Sequence, residues 1–366
     1  MAIGNTDSKT KLAVFLGSGF SAALGLPTTN QLIGKLLEPG GDNLETKAIE
    51  EFISTRISAF WENVFGWRPG MPRPTLEDHF TQIDMAANSG HRLGPSFGPS
   101  ELRATRRMTI HRIFSLLKTL GFQADCVTKF LKELSKTHDL ALITSNWDAE
   151  VESSLEGLQI PFMYGDENGS AAESATPFQI SVLKLHGCIS RAYCDCCRDV
   201  IRLRGMSDPV TRLGLLLHQK DFELFDGSEE PARLLTQRQR NHFNSKARAC
   251  PRCGAPLSLR VGTFSYRKDL NTLYSIWDNA RDSLKLAEKW LLVGYSLPEA
   301  DIEIRHLLKA AQLARRDSSR LSIEVVLKED PAAGERHRRL FGLPSEQVFQ
   351  DGLEAWVTNR LGDYCR

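Results

Sequence analysis

Long apolar runs are missing from this sequence. Apolar runs such as Leu12–Leu16 and Trp290–Val293 fall far short of the ~18 residues that span a bilayer, so no membrane-crossing helix is expected. The opening residues MAIGNTDSKT hold no apolar core, so no secretory leader is expected. Ala2 stands where N-myristoylation needs glycine. An excess of one charge is also missing. Against 46 Lys and Arg stand 45 Asp and Glu, a net charge of +1, which argues against an extended basic coat for nucleic acid. Cysteine is scarce and unevenly placed: five of the eight fall within 194–253. That crowding does not suit a secreted disulfide scaffold and favours metal binding in a reducing cytoplasm. What remains is ordinary for a globular chain. With 41% apolar and 25% charged residues in 366, global disorder is excluded. The length allows one large domain or two modest ones.

Apolar runs and turn residues sketch the architecture. Lys11–Leu16 reads as a buried strand entering Gly17-Ser18-Gly19-Phe20-Ser21-Ala22. A short helix should stop near Pro27, and Thr28 or Thr29 can cap the next one, starting around Asn30. Helical spacing recurs over 47–65, 76–87, 103–120 and 124–136, with a Gly/Pro/Ser-rich loop at 88–100. Further buried strands are expected at Leu140–Thr144, Ser181–Leu185, Trp290–Val293 and Ser322–Leu327. Helices are expected over Ala149–Leu158, 270–288 and Asp301–Arg316, and a polar loop over 165–177. Strands alternating with helices give an α/β fold with a parallel sheet covered on both faces.

Four of these strands end in polar turns, three of them containing glycine, which a parallel sheet gathers along one crevice at its carboxyl edge. Ser21, Asn146, Asp148, His186 and Ser296 would meet there. Gly17-x-Gly19-x-x-Ala22 fits a dinucleotide turn, where glycine lets backbone N–H groups approach a pyrophosphate. Glu38 lies at the distance of a ribose-binding acid, but Ile33–Glu38 reads as helix, so an ordinary dehydrogenase fits poorly. His79 reads as structural, with a place beside the crevice as the alternative.

Cys194-x-x-Cys197 and Cys250-Pro-Arg-Cys253-Gly254 carry the strongest chemical signal. Four thiolates suit a closed, structural tetrahedral Zn²⁺ and leave no open catalytic position. The 52 residues between the pairs require an insertion, and Cys196 is a spare thiol. That insertion holds Arg233, Arg238, Arg240, Lys246 and Arg248 with His242 and Phe243. It reads as a solvated face, with a nucleic-acid or acidic partner as the alternative. Asp221, Glu223, Asp226, Glu229 and Glu230 partly offset it.

In this order, the glycine turn, Ser145-Asn146-Trp147-Asp148, Lys184-Leu185-His186-Gly187, the cysteine pairs and Val293–Asp301 resemble the SIR2/sirtuin superfamily. The resemblance spans residues 14 to 301 and is nearest to the divergent SIR2-like domains of bacteria. It implies a single domain with a Rossmann-type NAD-binding core (11–42, 139–187 and 263–366), a helical insertion (43–138) and a zinc-ribbon module (188–262). It implies NAD⁺ as cosubstrate. By the same resemblance Gly17, Ser18, Gly19 and Ser21 would contact the pyrophosphate and its ribose. Asn146 would orient a water or the nicotinamide ribose, and Asp148 would hold the carboxamide. His186 would be the general base, Gly294 and Ser296 would line the adenosine side, and the four cysteines would hold zinc.

Protein-deacylating sirtuins continue the glycine turn with Ile-Pro-x-Phe-Arg, whereas this chain has Leu26-Pro27-Thr28-Thr29-Asn30. Their Phe-Gly-Glu strand, which pairs with peptide, is replaced by Val261–Lys268 with no evident strand, and Ser145 stands for their Gln. These departures favour NAD⁺ hydrolysis to nicotinamide and ADP-ribose over lysine deacylation. A non-catalytic NAD or ADP-ribose sensor is the third reading and a nucleic-acid-binding zinc module the fourth. Many bacterial SIR2-like NAD hydrolases act in anti-phage defence. By that analogy a homo-oligomer, or a partner such as an ATPase of the same defence system, is expected.

Overall fold

The computed structural model describes residues 9–40, 44–117, 124–164, 180–194, 196–197, 199–202, 217, 219–225, 233, 249–255, 257–259, 261–266, 268, 270, 273–315 and 321–366. The chain begins with β1 (Thr10–Leu16), α1 (Ser18–Ala22) and α2 (Thr29–Lys35). Thr28 precedes α2, and its N–H donates to Gln31 Oε1 at 2.9 Å, so the capping signal falls on Thr28. Ile33–Lys35 lie in that helix, as their spacing implied.

Four helices follow: α3 (Leu44–Phe65), α4 (Leu76–Ser89), α5 (Pro99–Leu116) and α6 (Asp125–Thr137). Helix α5 starts four residues before its apolar spacing suggested, because Pro99 occupies a first-turn position that tolerates a missing N–H. Then come β2 (His138–Thr144), α7 (Glu150–Gly157), β3 (Phe162–Tyr164) and β4 (Ile180–Lys184). The cysteine-bearing part contributes β5 (Arg191–Cys194), β6 (Asp199–Arg202), α8 (Gln219–Glu223) and β7 (Leu257–Ser258). The chain closes with α9 (Tyr274–Leu286), β8 (Lys289–Val293), α10 (Ile302–Leu313), β9 (Ser322–Val326), α11 (Pro331–Phe341), β10 (Val348–Phe349), α12 (Gly352–Asn359) and α13 (Leu361–Tyr364). The expected loop at 165–177 lies outside the described residues.

Seven strands form one parallel sheet in the order β10-β9-β8-β1-β2-β4-β3. Chain order reverses at β1, which lies between β2 and β8. This is the switch point beside which doubly wound sheets open a crevice. The register levels the strand ends: Leu16 pairs with Thr144 and with Val293, Thr144 with Lys184, and Val293 with Val326. The turns after these strands therefore leave the sheet at one height.

Alternation along β1 explains the layers. Leu12, Val14 and Leu16 pack on one face with α6 and Trp356, while Ala13 and Phe15 pack on the other with α9 and α10. A third core joins α3–α5 to the cysteine-bearing part through Trp61, Phe80, Phe114, Trp147, Ile189 and Leu257. A small antiparallel sheet, β6-β5-β7, carries the cysteines. No helix among the described residues is long and apolar enough to cross a membrane.

Candidate functional site

The turn after β1 and the turn after β8 are pressed together. Gly17 N–H donates to Val293 O and Gly19 N–H to Gly294 O, both at 2.9 Å. A Cβ on Gly17 would lie 2.5 Å from Gly294 O, and one on Gly294, at φ +63°, would lie 2.4 Å from Phe20 N. Glycine is thus required for this closure, whatever the turn binds. The N–H groups of Gly17 and Gly19 are spent on the closure.

The turn after β2 is locked onto the first one. Thr144 Oγ1 donates to Leu16 O at 2.8 Å and accepts from Asn146 N–H at 3.0 Å. Asn146 Nδ2 donates to Gly17 O and to Ser21 Oγ, each at 2.9 Å. Ser21 Oγ donates to Asp148 Oδ2 at 2.8 Å, and Asp148 Oδ1 accepts from Glu150 N–H at 3.1 Å. Both N–H bonds of the Asn146 amide are thereby used. Its Oδ1, with no bond among the described residues, is the group left to orient a water or a sugar hydroxyl.

His186 follows β4 and is buried. Its Nε2 has no hydrogen-bond partner among the described residues. Burial pulls its pKa down to about 4, with Asp301 opposing and Lys268 adding to the shift, so the ring is neutral at pH 7. Lys268 is itself paired with Asp301 at 3.1 Å, and Asp301 Oδ2 accepts from Tyr295 Oη at 3.0 Å. The stretch after the cysteines closes the wall. Gly262 N–H donates to His186 O at 3.0 Å, and Gly262 O accepts from Trp147 Nε1 at 3.1 Å.

Two cavities run along the strand ends. One, of about 130 Å³, is lined by Ser18, Ser21, Asn146, Asp148, His186 and Ser296 among others. The second, of about 680 Å³, is lined by Ser18, Gly19, Gly294, Ser296, Lys328 and Asp351 among others. Both touch Ser18, Thr29, Asn30 and Ser296, so they adjoin end to end across the glycine turn. Of the residues expected at the NAD⁺ crevice, only Gly17 lines neither; its carbonyl accepts from Asn146 Nδ2. Glu77, from the first turn of α4, also lines the smaller cavity. Burial, ahead of Asp301 and Asp78, raises its carboxyl above the usual range. Sequence reasoning missed Glu77, Trp147 and Thr263 as lining residues; from α4 it offered His79 as the alternative crevice residue, because only the fold shows which side of that helix meets the strand ends.

His79 is not a crevice residue. Its Nδ1 accepts from Trp61 Nε1 at 3.0 Å, its Nε2 meets Thr109 Oγ1 at 2.9 Å, and burial pulls it down to about 3. Asp221 is buried and bonded to Arg107 of α5 at 3.0 Å. Arg233 is exposed, while Arg238, Arg240, His242, Phe243, Lys246 and Arg248 lie outside the described residues.

Cys194, Cys197, Cys250 and Cys253 converge, their sulfurs all within 4.8 Å of one another. Cys194 and Cys253 sulfurs lie 3.6 Å apart and those of Cys197 and Cys250 3.8 Å apart. A tetrahedral ion with Zn–S bonds of about 2.3 Å would set its sulfurs about 3.8 Å apart. The residues present therefore fit a zinc ion. Gly254, at φ +74°, makes the knuckle, its N–H donating to Cys250 O at 2.8 Å. Cys196 is exposed and outside the cluster.

No family model and no curated protein matches the sequence. Similarity is found among solved structures of sirtuins. One, from work on the structural basis of sirtuin substrate affinity, has TM-score 0.39 and 12% identity, covering 96% of this chain and 92% of that one. A Sir2 complex with p53 peptide and NAD⁺ has TM-score 0.37 and 12% identity, covering 97% and 94%. Sir2 with the inhibitor EX-527, 2'-O-acetyl-ADP-ribose and deacetylated p53 peptide has TM-score 0.36 and 11% identity, covering 96% and 93%.

Proposed function

We propose that the crevice binds NAD⁺ and hydrolyses it to nicotinamide and ADP-ribose. The observation that carries this reading is the paired cavity at the switch point, with a free amide oxygen and a neutral imidazole in its smaller half. The adenosine half fits the larger cavity, beside Gly294 and Ser296. Ser18, Gly19 and Ser21 flank the pyrophosphate, with Gly17 shaping the turn. The nicotinamide half enters between Asn146, Asp148 and His186.

The chemistry asks for positioning, an acceptor and a base. As the C1′–N bond breaks, its electron pair passes to the pyridinium nitrogen, which becomes neutral. Water, oriented by Asn146 Oδ1, bonds to C1′. Its proton leaves through His186, which is neutral and so able to take it. Nicotinamide, ADP-ribose and one proton result.

Water is favoured over an acyl-lysine by Gly262. Peptide addition needs free backbone groups along an edge. Here Gly262 N–H and C=O are both engaged within the chain, and no strand is present over the described residues of 261–268. The division into NAD-binding core, helical insertion (43–138) and zinc-ribbon module (188–262) belongs to this reading, as does structural Zn²⁺ on the four cysteines.

Purified protein is incubated with NAD⁺, with and without an acetylated peptide, and the products are resolved by mass. ADP-ribose without peptide is expected. Acetylated ADP-ribose formed only with peptide would replace hydrolysis by deacylation.

A further inference from the structure

Lys184 ends β4 between Leu183 and Leu185, in a strand whose neighbours are buried aliphatics. Its side chain is wholly buried. An ammonium in such a place is costly unless it is compensated. Lys184 Nζ lies 2.5 Å from Asp148 O and 3.4 Å from Glu152 Oε2. Glu152 Oε1 in turn accepts from Tyr164 Oη at 3.1 Å. Cys188 Sγ reaches the same Asp148 O at 3.4 Å. Burial alone would pull the ammonium's pKa down. The neighbouring Cys188, Glu152 and Asp148 groups outweigh it and hold Lys184 above its ordinary value.

The network ends at the crevice. From Asp148, whose carbonyl Lys184 grips, the carboxylate accepts from Ser21 Oγ, and Ser21 Oγ accepts from Asn146 Nδ2. A buried ammonium thus connects through one residue and one hydroxyl to the amide at the site. Lys184 lines neither cavity, so it meets no ligand there. We propose that Lys184, held by Glu152, is a positioning residue that fixes the Asn146–Asp148 turn from beneath and so aims Asn146 Oδ1 at the attacking water. The role rests on the NAD⁺-cleaving reading of the crevice.

The test is the paired variant Lys184→Met with Glu152→Gln, which removes both charges and keeps the volume. Neutral replacement of a buried ion pair is commonly tolerated, so Tm should stay near wild type. Misplacing a group at the reacting centre costs about 100-fold, and kcat for nicotinamide release should fall by that order. KM for NAD⁺ should change less than about threefold, because the adenosine half keeps its own cavity. Glu152→Gln alone, which keeps the lysine, should lower kcat in the same direction with KM kept. A paired variant with wild-type kcat overturns the role. So does a loss of kcat that follows Tm downward in both variants, which would make Lys184 merely structural. Wild-type protein that releases no nicotinamide contradicts the crevice reading itself, and this role with it.

Discussion

At Gly294 a Cβ would lie 2.4 Å from Phe20 N and 2.5 Å from Gly19 C, and the backbone there has φ +63°. Gly294→Ala must part the two turns that define the crevice. Overlap and positive-φ strain together should cost about 2–4 kcal/mol, read from denaturant unfolding, and nicotinamide release should be lost with it. An alanine variant as stable as wild type would show that the turns can part freely. His186 makes a prediction of a different kind. Its pKa is lowered to about 4 by burial, so the base is already neutral at pH 6.5. The acid limb of kcat against pH should carry no inflection near about 6.5, the value of an exposed imidazole. An inflection there, absent from His186→Ala, would contradict the lowering of the base's pKa by burial.

Among the elements, the small sheet and the four cysteines form the part most exposed to metal loss. The third core packs Cys188, Ile189, Cys194 and Leu257 against α3–α5, and Gly262, just beyond β7, bonds to His186 and Trp147. Metal analysis should find about one zinc per chain. Cys250→Ser should release it, lower Tm and slow NAD⁺ cleavage by loosening that wall. A zinc-free protein of full stability would remove the assignment. Much of this was legible in the chain. Strands β1, β2, β4, β8 and β9 are apolar runs stopped by glycine or polar turns, and the cysteine spacing is a chemical signature. The short strands β3 and β10 were not, because two or three residues carry no period. Nor was the burial of Lys184: a lysine at a strand end ordinarily reaches solvent, and only the packing of α7 over β4 supplies Glu152. Glu77 was hidden for a related reason, since its place depends on how α4 docks against the strand ends.

At the scale of the molecule, four histidines among the described residues whose pKa burial lowers contribute to the response to acid. His79 is pulled down to about 3, and His138, His186 and His337 to about 4, in each case chiefly by burial. Unfolded, each would titrate near about 6.5, so below that pH the unfolded chain binds more protons than the folded one. Their contribution is intact above about pH 6.5 and is lost as pH falls toward 4. Tm should therefore decline as pH falls below about 6.5, and His79→Gln should flatten the decline. A Tm independent of pH across this window would contradict the burial of these rings. The central claim concerns the crevice, where sheet register brings Asn146 and His186 to one cavity and the glycine turn joins it to another. Its most direct test is the nicotinamide released from NAD⁺ alone by wild-type protein and by Asn146→Ala. Release by wild type and its loss in the variant is the predicted result. Equal release from both proteins, or none from wild type, would contradict the account.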